Sequence, residues 1–260
     1  MLLSKSVFRS ITIILFLNLV VIAQNSSNIK EPEFMPDRSD LTQALKVKSF
    51  QFQSGFSYSR SENNDITSNQ ISIPFLILRY GLLNNFTLQL QSEFDLKETL
   101  LNEDVVNKNS QIGYILLGVL YQLEQKERIA FFDRLSFLFS NLIPLNSSYE
   151  FYSELDFVFE TNLSKRFFLE YGVGYRYQKN TDGHFDFLFQ ITANLTRTIN
   201  SSVTYTSLFL IGENPSESQN SLGFNVNYIP TFNYQFSFDY SFGLNQNSDA
   251  ISVTFIYTFI

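Results

Sequence analysis

The chain has 260 residues and a formal net charge of −7, so it is long enough for one large domain, and its acidic balance argues against a nucleic-acid partner. It contains no cysteine, which excludes disulfide bonds and acylation through a cysteine. Its 29 Phe and 14 Tyr, without any Trp, are unusual for a soluble core, because native interiors rely mainly on Leu, Ile and Val. The aromatic excess predicts a different apolar environment.

The first residues have the features of a secretory signal peptide. Lys5 and Arg9 precede an apolar run over 11–22, and 21–23 form the small-x-small arrangement of a cleavage site. The run of about twelve residues is shorter than the roughly 20 that a membrane-spanning helix needs. The sequence therefore predicts a signal peptide over 1–23 and export from the cytoplasm.

A polar segment over 24–48 follows, and it carries the charged residues Asp37, Arg38 and Asp40. Two interpretations stay open for it. It is either a solvated leader in the periplasm or a plug that folds into the mouth of the following domain, with the three charged residues ion-paired against the inner wall.

From residue 49 onward, apolar and polar residues alternate, which is the pattern of β-strands with one apolar and one polar face. The cleanest example is 233–243, where aromatic residues alternate with Gln235, Ser237, Asp239 and Ser241. Strong alternation also covers 49–60, 85–97, 150–163, 166–179 and 184–197. Weaker alternation covers 69–81, 110–123, 129–142, 201–211, 221–229 and 250–260. Twelve strands are predicted.

The connections between these segments alternate between short and long, as expected when one end of a barrel carries turns and the other carries loops. The predicted turns lie near 82–85, 124–128, 163–166, 197–200 and 229–232. The predicted loops cover 60–68, 97–109, 143–149, 179–183, 212–220 and 243–249. Several strands also reach the roughly nine to eleven residues that cross a bilayer when tilted.

These patterns predict an all-β fold: a transmembrane antiparallel β-barrel of about 12 strands over 49–260. Closing the sheet gives every backbone N–H and C=O group a hydrogen-bond partner within the barrel. This is necessary in lipid because no water is available there to bond to these groups. The alternative is a secreted β-sandwich, which would have to bury nearly all the phenylalanines between two sheets. The last strand, 250–260, ends in alternating apolar residues with Phe259 penultimate, which resembles the signal read by the barrel assembly machinery of outer-membrane proteins.

Two short motifs carry a family resemblance. Asp37, Arg38, Ser39, Asp40 and Thr42 precede the first strand, and Leu78, Arg79, Tyr80, Gly81 and Leu82 end the second. Together they resemble the start of the putative MetA-pathway of phenol degradation family of bacterial outer-membrane "transporter" barrels, in which a proline usually takes the place of Ser39. The resemblance implies passage of small, often hydrophobic or aromatic, molecules through the outer membrane.

Charged residues on the polar faces of the strands are the candidates for lining the lumen. Most are acidic, so an open channel would concentrate cations and repel anions. The alternative is that these charges pair with one another and fill the interior. The candidates are Glu93, Asp95, Glu154, Asp156, Glu160, Glu170, Arg176, Asp186 and Asp239.

No catalytic, cofactor-binding or metal site is predicted. His184 is the single histidine, and Asp182 and Asp186 near it would orient it in a hydrolase, but no serine-nucleophile motif accompanies it. One histidine without cysteine excludes the usual zinc sets, and the chain has no spaced acidic calcium loop.

The sequence thus predicts a protein of the bacterial outer membrane that is not an enzyme and passes small molecules by diffusion. Its expected partners are membrane lipid, the assembly machinery and the solute, and its oligomeric state is open. The alternative is a non-conducting structural or interaction barrel that displays loops or docks a periplasmic partner through 24–48.

Overall fold

Strands account for nearly all of the chain that the structure describes. The computed structural model describes residues 43–63, 66–101, 104–124, 132–145, 150–178, 183–210, 219–231, 233–245 and 247–259. The predicted signal peptide over 1–23, and the charged residues Asp37, Arg38 and Asp40, lie outside these ranges. Within these ranges no helix is long and apolar enough to cross a membrane.

The described residues form twelve strands in a closed antiparallel barrel, which confirms the predicted fold class. Each strand pairs with its neighbours in sequence, and β1 pairs with β12 from Phe50 opposite Phe259 to Glu62 opposite Asn247, so the sheet closes. The strands are β1 (Phe50–Asn63), β2 (Ile66–Leu83), β3 (Phe86–Leu101), β4 (Asp104–Glu124), β5 (Arg134–Pro144), β6 (Tyr152–Asn162), β7 (Phe167–Gln178), β8 (His184–Asn194), β9 (Ile199–Leu210), β10 (Gln219–Thr231), β11 (Tyr234–Gly243) and β12 (Asn247–Phe259).

The alternation in sequence becomes an apolar outside and a polar inside. On β11 the outward side chains of Phe236 and Phe238 are each 46% exposed, whereas the inward Gln235 and Ser237 are 9% and 8% exposed. A soluble protein shows the opposite distribution, because water makes buried apolar side chains favourable. A single sheet closed on itself, with its aromatic rings turned outward, excludes the β-sandwich and is the form in which strands cross a membrane.

Register shifts explain why two segments alternate weakly in sequence. The pairing of β2 with β3 shifts between Ser72 and Phe75, and the pairing of β3 with β4 shifts between Ser92 and Phe94. A β-bulge adds a residue to one strand, so the inward positions change from one parity to the other. A constant two-residue period therefore fails within β2 and β4.

Three connections in the first half of the barrel differ clearly in length from the prediction, so short and long connections do not simply alternate between its two ends. The predicted loops 60–68 and 97–109 are mostly strand, because β1 and β2 are separated only by 64–65 and β3 and β4 only by 102–103. Polar residues there continue the hydrogen-bonded pairing of β1 with β2 and of β3 with β4, so each pair forms a long β-hairpin. The predicted turn 124–128 is longer, since β4 ends at Glu124 and β5 begins at Arg134.

Candidate functional site

The interior of the barrel holds the candidate site, and one side of it contains an open cavity. This cavity has a volume of about 250 Å³ and lies against the inward faces of β8–β12 and β1, which we call the amide wall. Its lining is almost entirely amide and hydroxyl groups, with one carboxylate and one apolar residue. The lining residues are Gln53, Gln190, Thr192, Asn200, Ser202, Thr204, Asn225, Asn227, Gln235, Ser237, Asp239, Thr254 and Ile256.

Asn227 is the centre of a hydrogen-bonded network on the amide wall. Its Nδ2 donates to Asn200 Oδ1 at 2.7 Å, and its Oδ1 accepts from Gln235 Nε2 at 3.0 Å and from Ser237 Oγ. Each of these groups comes from the inward face of β9, β10 or β11 at a similar height. The mutual bonds fix the rotamers of long amide side chains, so the wall presents ordered donors and acceptors.

Asp239 is the acidic residue of the amide wall that lines the cavity. Its Oδ1 accepts from Asn225 Nδ2 at 2.5 Å, and its Oδ2 accepts from Ser252 Oγ at 3.0 Å. A second bridge joins β8 and β9, where Thr204 Oγ1 donates to Gln190 Oε1 at 2.8 Å. The bonds from Asn225 and Ser252 hold the charge of Asp239 at the edge of the cavity.

The opposite side of the interior is filled by side chains. Tyr114, Leu116 and Leu142 form a buried cluster against which Tyr152 packs, and Leu120 on the same face of β4 is 1% exposed. We call the inward faces of β2–β7 the packed wall. The packed wall cannot be read from the sequence, because ILLGVL in β4 is apolar at every position except the glycine and so does not indicate which residues point inward.

The predicted lumen residues lie at inward positions, and all but Asp239 are on β3 and β6–β8. Several are held in pairs. Arg176 donates from Nε and Nη2 to Glu154 Oε1 at 3.1 and 2.7 Å, and Arg134 Nη1 donates to Glu160 Oε2 at 3.3 Å. Glu170 Oε2 accepts from Gln190 Nε2 at 2.6 Å. This pairing is the alternative that the sequence left open for these residues.

Asp95 and Glu93 are partnered on β3 in the same manner. Asp95 is buried, and its Oδ1 accepts from Ser72 Oγ at 2.5 Å and from Gln70 Nε2 at 3.2 Å. Glu93 interacts with the hydroxyl of Tyr114. The structure therefore separates these two carboxylates from the amide-lined cavity.

Asp156 and Asp186 meet over a glycine. Gly174 lies between them in one row across β6, β7 and β8. A Cβ atom added at Gly174 would lie 2.4 Å from Asp156 Oδ1 and 2.5 Å from Asp186 Oδ1. His184 lies two residues before Asp186 at the same inward face, buried at 9% exposure, at the loop end of β8.

The residues just before β1 enter the mouth of the barrel at its turn end. The backbone N–H of Ala44 donates to Gln122 Oε1 at 3.0 Å, and that of Leu45 donates to Thr87 Oγ1 at 2.8 Å. The buried Arg79 donates from Nη1 to Gln51 Oε1 at 2.9 Å and from Nη2 to the Gln43 carbonyl. Residues 43–48 are thus held against the packed wall.

Gly81 allows residues 43–48 to lie close to the packed wall. Its backbone N–H donates to the Ser49 carbonyl at 2.9 Å, and its own carbonyl accepts from Lys48 N–H at 2.7 Å. A Cβ atom at this position would lie 2.0 Å from the Lys46 carbonyl oxygen. Arg79 and Gly81 belong to the motif that carries the family resemblance, so that motif contacts the segment preceding β1.

Comparisons with known proteins agree on the fold. No protein-family model matches the chain, and no characterised protein matches its sequence. The KdgM porin in complex with disordered oligogalacturonate is similar in structure, with a TM-score of 0.53 over 82% of this chain and 99% of that one at 10% identity. The translocator domain of autotransporter NalP from Neisseria meningitidis has a TM-score of 0.53 over 97% of each chain at 10% identity. With the apolar outer wall, this identifies a transmembrane β-barrel of the outer-membrane type.

Proposed function

We propose that the protein is a passive outer-membrane channel for small hydrophilic solutes, which diffuse along the amide wall. The cavity of about 250 Å³ carries this proposal, because it lies inside a closed barrel and its lining offers uncharged donors and acceptors. Such a lining can replace the hydrogen bonds that a solute makes with water, but it does not bind an ion tightly. Solutes can therefore enter and leave down a gradient.

The charge distribution favours neutral or cationic solutes. Among the described residues, Asp239 is the only charged residue that lines the cavity. Acidic residues also outnumber basic ones among the predicted lumen residues. Oligogalacturonate, with which the KdgM porin forms a complex, is a polyanion, and this interior repels anions. An apolar or aromatic solute is also poorly suited, since Ile256 is the one apolar residue of the lining.

Membership of the MetA-pathway family is part of the same proposal. Its support is that Arg79 and Gly81, from the motif that carries the resemblance, hold residues 43–48 in the mouth. We propose that 24–48 acts as a constriction there and that Asp37, Arg38 and Asp40 extend it. The boundaries 1–23 and 49–260 for signal peptide and barrel belong to this proposal.

The second candidate is a non-conducting structural or interaction barrel. The cluster of Tyr114, Leu116 and Leu142 favours it, together with residues 43–48, because both fill space inside the barrel. In that case the loops, or a periplasmic partner of 24–48, would carry the function.

Planar-bilayer recording of the refolded chain under a salt gradient separates the two candidates. We expect discrete conductance steps with a small cation preference, read from the reversal potential. Asp239→Asn should reduce that preference, whereas Asp133→Asn, at the rim near the turns, should leave it unchanged. A folded barrel without conductance would contradict the channel and favour the structural candidate.

A further inference from the structure

Three carboxylates converge at one point on the inner wall, near the loop end of the barrel. Asp156 and Asp186 flank Gly174 in the same row, and their Oδ1 atoms both lie within 2.5 Å of the site where a Cβ of residue 174 would stand. One oxygen from each of Glu154, Asp156 and Asp186 lies within 4.8 Å of the others. The missing side chain at Gly174 creates the notch in which they meet.

The charges around this notch are incompletely balanced. Arg176 places both of its hydrogen bonds on Glu154 Oε1, and neither aspartate forms an ion pair with another described residue. Asp186 Oδ1 is buried and has no hydrogen-bond partner among the described residues. Carboxylates held this close repel each other, and a buried oxygen without a partner is costly.

A buried imidazole adjoins the carboxylates and also lacks a partner. His184 is 9% exposed, and its buried Nδ1 has no hydrogen-bond partner within the described ranges. The ring lies close enough to Asp186, Glu154 and Arg176 to interact with them electrostatically. Unsatisfied buried polar atoms are rare in native proteins, so two of them beside one acidic notch indicate that a bound ion and its water occupy it.

We propose that Glu154, Asp156 and Asp186 bind one divalent cation over Gly174, with calcium as the best-suited ion. Calcium accepts six to eight oxygens at about 2.3–2.6 Å, so ligands on opposite sides of it lie up to about 5 Å apart, which matches the spacing of these carboxylates. Water completes the shell, and His184 lies beside it. The three ligands come from two strands, β6 and β8, so no continuous calcium-loop motif in the sequence predicts the site.

The experiment is calorimetric titration of the full chain, refolded in detergent and freed of metal with a chelator, with calcium chloride. We expect saturable binding at one site. Asp156→Asn and Asp186→Asn, which keep the side-chain shape, should each weaken binding by about tenfold or more. Asp239→Asn, which removes a carboxylate from the amide wall, should leave the affinity unchanged.

A second pair of variants tests the notch itself. Gly174→Ala keeps all three carboxylates but forces two of them apart, so it should also weaken binding. Gly223→Ala is the matched control, because its added Cβ meets no heavy atom closer than 3.7 Å. Folding of every variant is verified by gel electrophoresis, because a folded barrel migrates differently before and after heating. Absence of saturable calcium binding to the wild-type barrel, or equal weakening by Asp239→Asn and Asp186→Asn, would overturn the site whether or not the barrel conducts.

Discussion

The amide wall and the packed wall face each other across one interior but are built from different residues. On the amide wall, neutral side chains such as Asn227 and Gln235 bond to one another and border open space. On the packed wall, Tyr114, Leu116 and Leu142 touch one another and the space is filled. The difference shows that the described interior has one half filled by packed side chains and another half that contains an open cavity.

The largest effect is expected from closing the cavity. Ser202→Phe places a ring where the amide wall borders open space, so conductance should fall several-fold. Ser136→Phe makes the same change on β5 of the packed wall, away from the cavity, and should reduce conductance much less. Single-channel recordings of both variants provide the comparison. An equal loss in both would show that the solute path does not follow the amide wall.

The next effect is a loss of stability on the packed side. Arg79→Met removes the charged hydrogen bonds to Gln51 and to the Gln43 carbonyl, which should lower the free energy of unfolding by about 3 kcal/mol. Arg60→Met is the control, since its half-exposed guanidinium pairs with Glu62 and contributes less than about 1 kcal/mol. Urea unfolding followed by far-ultraviolet circular dichroism measures both.

A decrease similar to that of Arg60→Met would contradict the clamping role of Arg79. Far-ultraviolet detection suits this chain because it contains no Trp to report unfolding by fluorescence.

The smallest effect is expected from moving the segment that precedes β1. Gly81→Ala forces the Lys46 carbonyl away from the wall, which should cost about 1–3 kcal/mol of stability and raise conductance modestly. Gly223→Ala, which meets no close neighbour, should change neither quantity. If Gly81→Ala lost stability while conductance stayed constant, residues 43–48 would be a fold element without influence on the path.

The sequence was sufficient for the fold because lipid imposes a simple rule on each strand. In β11 every second residue is aromatic, and Phe236 and Phe238 face outward as predicted. The same rule failed at 60–68 and 97–109, where polar residues predicted loops. Strand segments outside the hydrocarbon region need no apolar face. The alternation of apolar and polar residues therefore cannot predict them.

The site was predicted less well, since inward residues obey no single pattern. The charged candidates such as Glu154 and Asp95 lie at inward positions, but most are paired on the packed side, whereas neutral residues such as Asn227 and Ser202 line the cavity. Gln235 and Ser237 were visible as the polar half of an alternation, although nothing in one sequence ranks them above other polar residues. The approach of Asp156 to Asp186 depends on the register of three strands, which local sequence does not encode.

In the proposed channel, the unequal lengths of the strands affect how a solute reaches the mouth. At about 3.3 Å per residue, the 21 residues of β4 extend to about 69 Å, whereas the 10 residues of β11 extend to about 33 Å. β5 pairs with β4 only from Tyr114 onward, so the hairpin of β3 and β4 rises beyond its neighbour as a one-sided screen. In the proposed channel, this screen would hold off bulky molecules on that side, and small solutes would reach the amide wall past the shorter strands β8–β11.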